Sequence, residues 1–183
     1  MLRLRLFTAD AGPLVAWLRV RRRNASPFPD LFDRIDAVLE TRNEGRTWFV
    51  SEYAITRRFT GIGNGYQTLL YASRFTALIL KNPLHNDAWL PLFERLEQGF
   101  ESWASGAPPD IVYLKMLYLF AREEGFPVRE DWWKGLPTSH RDAADLRLHR
   151  PLDYQSPKKT SPATGTLIEN LENWLRERHE IRF

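Results

Sequence analysis

The chain has 183 residues, 43% of them hydrophobic and 27% charged, and a formal net charge of +3. That composition belongs to a globular protein of one domain or two small ones, and so small a net charge is by itself weak support for a polyanionic partner. The absence of cysteine excludes disulfides, thiolate metal sites and a cysteine nucleophile, and fits a reducing cytoplasm.

Targeting signals are equally sparse. The longest apolar runs, such as FTALIL, are far too short to span a bilayer. Arg3, Arg5 and Asp10 interrupt the N-terminus, and no small-residue cleavage site follows, so it does not read as a signal peptide.

The distribution of charge says more than its total. Residues 1–23 hold six arginines, Arg3, Arg5, Arg19, Arg21, Arg22 and Arg23, against one acid, Asp10. A basic end on a nearly balanced body points to a local phosphate-facing surface.

The first sixty residues read as β. In LRLRLFT, Leu2, Leu4 and Leu6 alternate with Arg3 and Arg5, the period of a half-buried strand. ADAG is a turn. PLVAWLRV then sets Leu14, Ala16, Leu18 and Val20 on one face, with Val15, Trp17 and Arg19 on the other. RRRNASPFPD is a loop. LFDRIDAVLETR alternates less cleanly, with Leu31, Ile35, Ala37 and Leu39 facing in, and a helix competes there. NEGR is a hairpin connection into the strand TWFVSEYAI. Short strands joined by tight turns predict a small antiparallel barrel or sandwich.

After TGIGNG the pattern turns helical. GIGNG lacks the Lys-Ser/Thr of a phosphate loop and the spacing of a dinucleotide fingerprint, so it reads as a flexible junction. YQTLLYASRFTALILK is apolar on nearly every side and predicts a central helix, in which Arg74 must find a partner or reach the surface. AWLPLFERLEQGFESW carries Trp89, Leu92, Phe93, Leu96, Phe100 and Trp103 at helical spacing, a core stripe. PPDIVYLKMLYLFAREEGF starts at Pro109–Asp110 and stops at Gly125. Residues 136–165 are rich in Pro, Ser, Thr and Arg and read as irregular. TLIENLENWLRERHE is an amphipathic closing helix that folds back on the others. The expected fold class is α+β: an OB-like β-barrel over residues 1–60, then an all-α helical bundle over 61–183.

No catalytic constellation emerges. The four histidines form no His-x-x-x-His or Glu-x-x-His pair, and there is no Gly-x-Ser-x-Gly elbow. His140, Asp142, Asp145 and His149 lie close enough in sequence to raise a metal-dependent enzyme as one alternative. The irregular reading of the segment argues against the closed geometry such a site demands. The expectation is a non-enzyme with no metal and no cofactor.

The order of parts resembles the RecO family of DNA recombination and repair mediators. LFTADAG is similar to that family's first turn, and LVAWLRVRRRNAS to the strand and basic loop after it. WFVSEYAITRRF resembles the last strand of its OB-fold. YASRFTALILKN, LPLFERLEQGFESW and IVYLKMLYLFAREEGF resemble its first three main helices, and LENWLRERHEIRF its closing helix. Two features depart from the family. It normally has a strand before LRLRLFT, so the barrel is expected to be incomplete. Many members also carry a four-cysteine zinc module where this chain has none, so zinc is not carried over.

The resemblance implies a bacterial cytoplasmic protein that binds single- and double-stranded DNA and promotes annealing. It would load recombinase together with a RecR-like partner and the C-terminal tail of single-strand-binding protein. In that frame Arg3, Arg5, Arg19, Arg21, Arg22 and Arg23 neutralise phosphates, and Trp17 and Trp48 are candidates for base stacking. Lys81, Arg95, Lys115 and Arg122 are candidates for the basic rim of a groove for the tail. The alternative is an interaction scaffold of the same fold that has lost DNA binding.

Overall fold

In a computed structural model of the protein, residues 1–19, 27–82, 89–149, 151–152 and 162–183 are described; Arg21, Arg22 and Arg23 lie outside them. The fold is mixed α/β, a four-stranded sheet followed by helices. The chain divides into two compact units, Met1–Phe59 with Ala88–Phe93, and Thr60–Asp87 with Glu94–Phe183.

In the first unit, β1 (Leu2–Thr8) and β2 (Gly12–Leu18) form a hairpin. Thr8 closes its turn: the hydroxyl accepts from the Ala11 N–H at 3.1 Å and donates to the Gly12 carbonyl at 3.1 Å. Gly12 sits at φ +66°, and a Cβ there would meet the Trp89 ring at 2.5 Å, so both the backbone angle and the neighbour require glycine.

A second hairpin joins β3 (Arg34–Thr41) to β4 (Trp48–Arg57). The competing helix over this stretch does not form. The turn between them is tied by side chains: the Gly45 N–H donates to Thr41 Oγ1 at 3.0 Å, and the Thr47 N–H to Asn43 Oδ1 at 2.9 Å.

The strand order is β1-β2-β4-β3, so the sheet is open, with β1 and β3 as its edges, and is not closed into a barrel. Nor is it wholly antiparallel. β4 enters beside β2 and runs parallel to it, pairing Ala16 with Trp48 and Leu18 with Val50. That register stacks the apolar positions of both hairpins on one face, where Ala16, Leu18 and Val50 are buried among Leu4, Leu6, Leu14, Leu39, Trp48 and Tyr53.

In the second unit the chain enters through a short 3-10 turn, Thr60–Asn64. The expected flexible junction is instead packed: Ile62 is buried, and a Cβ on Gly61 would lie 2.0 Å from the Ala104 carbonyl oxygen. Helices α1 (Tyr66–Lys81), α2 (Trp89–Ala104) and α3 (Pro109–Glu123) follow. Next come a π-helical segment (Val128–Trp133), α4 (Thr138–His149) and α5 (Pro162–His179).

The central helix is α3, not α1 as its apolar sequence implies. From Asp110 to Ala121 nearly every α3 residue is buried, whereas α1 buries only Ala72, Phe75, Leu78 and Ile79. α3 ends as its sequence predicts. Gly125 takes φ +79°, and the Phe126 N–H returns to the Ala121 carbonyl at 2.9 Å. Asn82 caps α1 and holds the C-terminal tail, donating to the Leu78 and Arg182 carbonyls and accepting from the Arg182 N–H.

The stretch 138–149, read as irregular, is helical. Pro137 begins it, its carbonyl accepting from the His140 and Arg141 N–H groups at 2.9 Å. Ala144 is the only residue of α4 that is fully buried, so the apolar periodicity that marks a helix in sequence is missing.

Candidate nucleic-acid interface

Strand pairing sorts the side chains of the sheet into two sets. Opposite the apolar face, one row crosses all four strands: Arg3 faces Trp17, Trp17 faces Phe49, and Phe49 faces Glu40. The neighbouring positions are Arg5 opposite Val15, and Glu52 opposite Val38. Arg19 follows β2 two residues after Trp17 and is exposed.

On this outward face β1 and β2 carry no acid, whereas β3 and β4 carry acids together with the paired, exposed Arg34 and Arg57. Arg3, Arg5 and Arg19 lie on β1 and β2 or just beyond, and Asp36, Glu40 and Glu52 lie on β3 and β4, all six exposed. None of the three arginine side chains hydrogen-bonds or pairs with an acid among the described residues. Their charge is therefore not neutralised by any described residue.

The two tryptophans part company. Trp17 stands in the outward row, half-buried between Arg3 and Phe49, while Trp48 packs in the apolar cluster on the other face. Phe49, half-buried, takes the outward place. Sequence reasoning missed it because Trp48 and Phe49 are adjacent, and only the β2–β4 register decides which of them faces out.

The four candidate rim cations are also separated. Lys81 donates to the Phe183 carbonyl at 2.6 Å, and Arg95 pairs with Glu123 at 2.5 Å. Lys115 donates to the Leu148 carbonyl at 3.2 Å, and burial holds its ammonium below the ordinary lysine value. Arg122 alone of the four lines a cavity of about 470 Å³, along with Tyr118, Phe126, Arg129, Trp133 and His149. The π-helical segment supplies much of this wall, an arrangement that recurs at functional sites. Asp145 also lines the cavity and pairs with His149 one turn away on α4, at 3.0 Å. Among the described residues, no three His, Asp or Glu stand together in a way that could hold a metal ion. No described helix is long and apolar enough to cross a membrane.

Behind the cavity, His179 stacks on Phe126 at 4.3 Å and meets Trp174 edge-on at 4.4 Å. Its Nε2 is buried without a hydrogen-bond partner among the described residues. Burial lowers its pKa; Asp131 opposes the shift and Arg178 adds to it. The unfolded chain therefore takes up the proton more readily. The stability this residue contributes is complete above about pH 6.5 and is lost as pH falls through the lowered folded value. His179→Phe keeps the ring stack, so thermal unfolding of this variant is expected to lose less stability than the parent between about pH 7 and pH 5.

No family model matches the chain, and neither a curated protein nor a solved structure matches it.

Proposed function

We propose that this protein binds DNA through the outward face of β1 and β2 and acts in the bacterial cytoplasm as a recombination mediator of the RecO kind. In this role it anneals strands and loads recombinase, without breaking a covalent bond. The observation that carries the reading is the cluster of Arg3, Arg5 and Arg19 around Trp17, none of them paired with a described residue, on two strands that carry no acid.

The topology supports the same reading. The order β1-β2-β4-β3, with antiparallel outer pairs and a parallel β2–β4 pair, supports reading the sheet as the last four strands of an OB-like fold. OB folds bind oligonucleotides on the strands that β1 and β2 would represent. Packing of α3 against α1 and α5 supports reading the second unit as a helical bundle.

The cavity, which Glu130 and Asp145 line together with Arg122 and Arg129, would take the acidic, apolar C-terminal tail of single-strand-binding protein with its carboxylates on the arginines and its apolar side chain against Tyr118, Phe126 and Trp133. The function is tested by annealing complementary strands coated with single-strand-binding protein. Added protein is expected to accelerate annealing. Arg122→Ala is expected to weaken binding of the isolated tail peptide about tenfold while leaving binding to bare DNA unchanged. Tail binding without any binding to bare DNA would favour the scaffold reading, in which this cavity alone is used.

A further inference from the structure

We infer that the two free edges of the sheet, β1 and β3, pair with one another between copies of this chain, so that the protein self-associates head to tail. The inference goes beyond the DNA-binding reading and stands or falls without it.

No described strand pairs with the outer side of β1 or of β3. The two strands are 7 and 8 residues long and neither contains proline or glycine, so each can serve as a template for a further strand. Their outward rows differ in sign. β1 presents the exposed Arg3 and Arg5, whereas β3 presents the exposed Asp36 and Glu40 on either side of Val38, which is 53% exposed. Arg34, at the start of β3, lies over the Phe93 ring at 5.7 Å. On the other face both edges are apolar, with Leu4 and Leu6 on β1 and Leu39 on β3.

Charge decides which edges can join. Two β1 edges would set arginine against arginine, and two β3 edges acid against acid. Only unlike edges bring opposite charges side by side. The strand directions agree with this. β1 is antiparallel to β2, β2 parallel to β4, and β4 antiparallel to β3, so the two edges run the same way. A second copy displaced along the sheet, without being turned over, therefore lays its β1 parallel to β3 with the apolar faces on one side. Centred on Val38, the second copy's Arg3 and Arg5 reach Asp36 and Glu40 and cover the valine with their aliphatic stems. Each added copy leaves one edge of its own free, so growth does not stop at two.

The whole protein, free of nucleic acid, is examined by sedimentation equilibrium at low salt over a range of concentrations. The weight-average mass is expected to rise with concentration past that of a dimer. Asp36→Lys with Glu40→Lys makes both edges basic, and Arg3→Glu with Arg5→Glu makes both acidic. Each double variant is expected to associate at least about tenfold more weakly than the parent. An equimolar mixture of the two is expected to recover the parent's association, because unlike edges are present again. All four side chains are exposed, and an unchanged unfolding temperature confirms that each variant is folded.

A parent that stays monomeric at every concentration, or that stops at a dimer, would overturn the inference. So would two folded variants whose mixture associates no better than either alone. Should a variant fail to fold, the parent's own mass still decides between these outcomes.

Discussion

Replacing Arg3, Arg5 and Arg19 together by alanine is expected to weaken binding to single- and double-stranded DNA on the order of ten- to a hundredfold at low salt, with little change in stability. All three side chains are exposed, and none is held by another described residue. Removing them therefore costs the fold no ion pair among the described residues and little buried area. What is lost is positive charge on one half of one face, which acts on phosphates whatever the base sequence. The loss should be similar for every oligonucleotide tried, as expected of contacts to the backbone. Charge reversal at Glu40 and Glu52 to lysine should act in the opposite sense, by adding positive charge on the neighbouring strands.

The second large effect is on stability. Arg74 donates to both carboxylate oxygens of Glu172 at 2.7 Å, and the Tyr113 hydroxyl donates to Glu172 Oε1 at 2.7 Å. The Arg74 guanidinium also lies over the Tyr113 ring at 5.4 Å and the Tyr71 ring at 6.0 Å. These groups tie α1, α3 and α5 together around the one carboxylate buried in α5. Burial, with Glu172 beside it, raises the Tyr113 pKa far above the ordinary tyrosine value, so this phenol stays a donor.

Glu172→Ala leaves the fully buried Tyr113 hydroxyl without its acceptor and opens a cavity. The Arg74 side chain is 39% exposed and can rehydrate, which moderates the cost. A loss of about 3 kcal/mol is expected, lowering the unfolding temperature by roughly 6–12 °C. Glu172→Gln keeps an acceptor for Tyr113 and should cost about 1 kcal/mol. Thermal unfolding of the two variants checks this, and equal losses in both would mean that the charge matters more than the acceptor.

The strands were legible because their alternation is local. Leu2, Leu4 and Leu6 against Arg3 and Arg5 need no partner to be read as one buried and one exposed edge of a strand. Which face each half of the sheet shares with the other is not local. Trp48 and Phe49 exchange roles with a one-residue shift in the β2–β4 register, so the outward aromatic could not be chosen from TWFVS alone.

The helices show the same limit in another form. α1 and α3 are both apolar around most of their circumference, and only packing decides that α3 is the central one. The α2 stripe is continuous in sequence, yet Trp89 and Phe93 serve the first unit, against Phe7 and under Arg34 respectively, while Leu96, Phe100 and Trp103 serve the second. α4 is held by Ala144 and by backbone contacts such as Lys115 Nζ to the Leu148 carbonyl, which leave no periodic trace. The partner of Arg74 lies 98 residues away, too far for any sequence pattern to supply.

The most direct test of the central claim is the affinity of the unaltered protein for single-stranded and duplex oligonucleotides, measured from about 50 to 200 mM salt. If Arg3, Arg5 and Arg19 each neutralise one phosphate, removing all three should make the slope of log K against log salt shallower by about 2 on a single strand and about 2.7 on duplex. The unaltered protein should show at least those slopes. Binding that is flat in salt, or no binding to either form at the lowest salt, would contradict a DNA-binding face on β1 and β2.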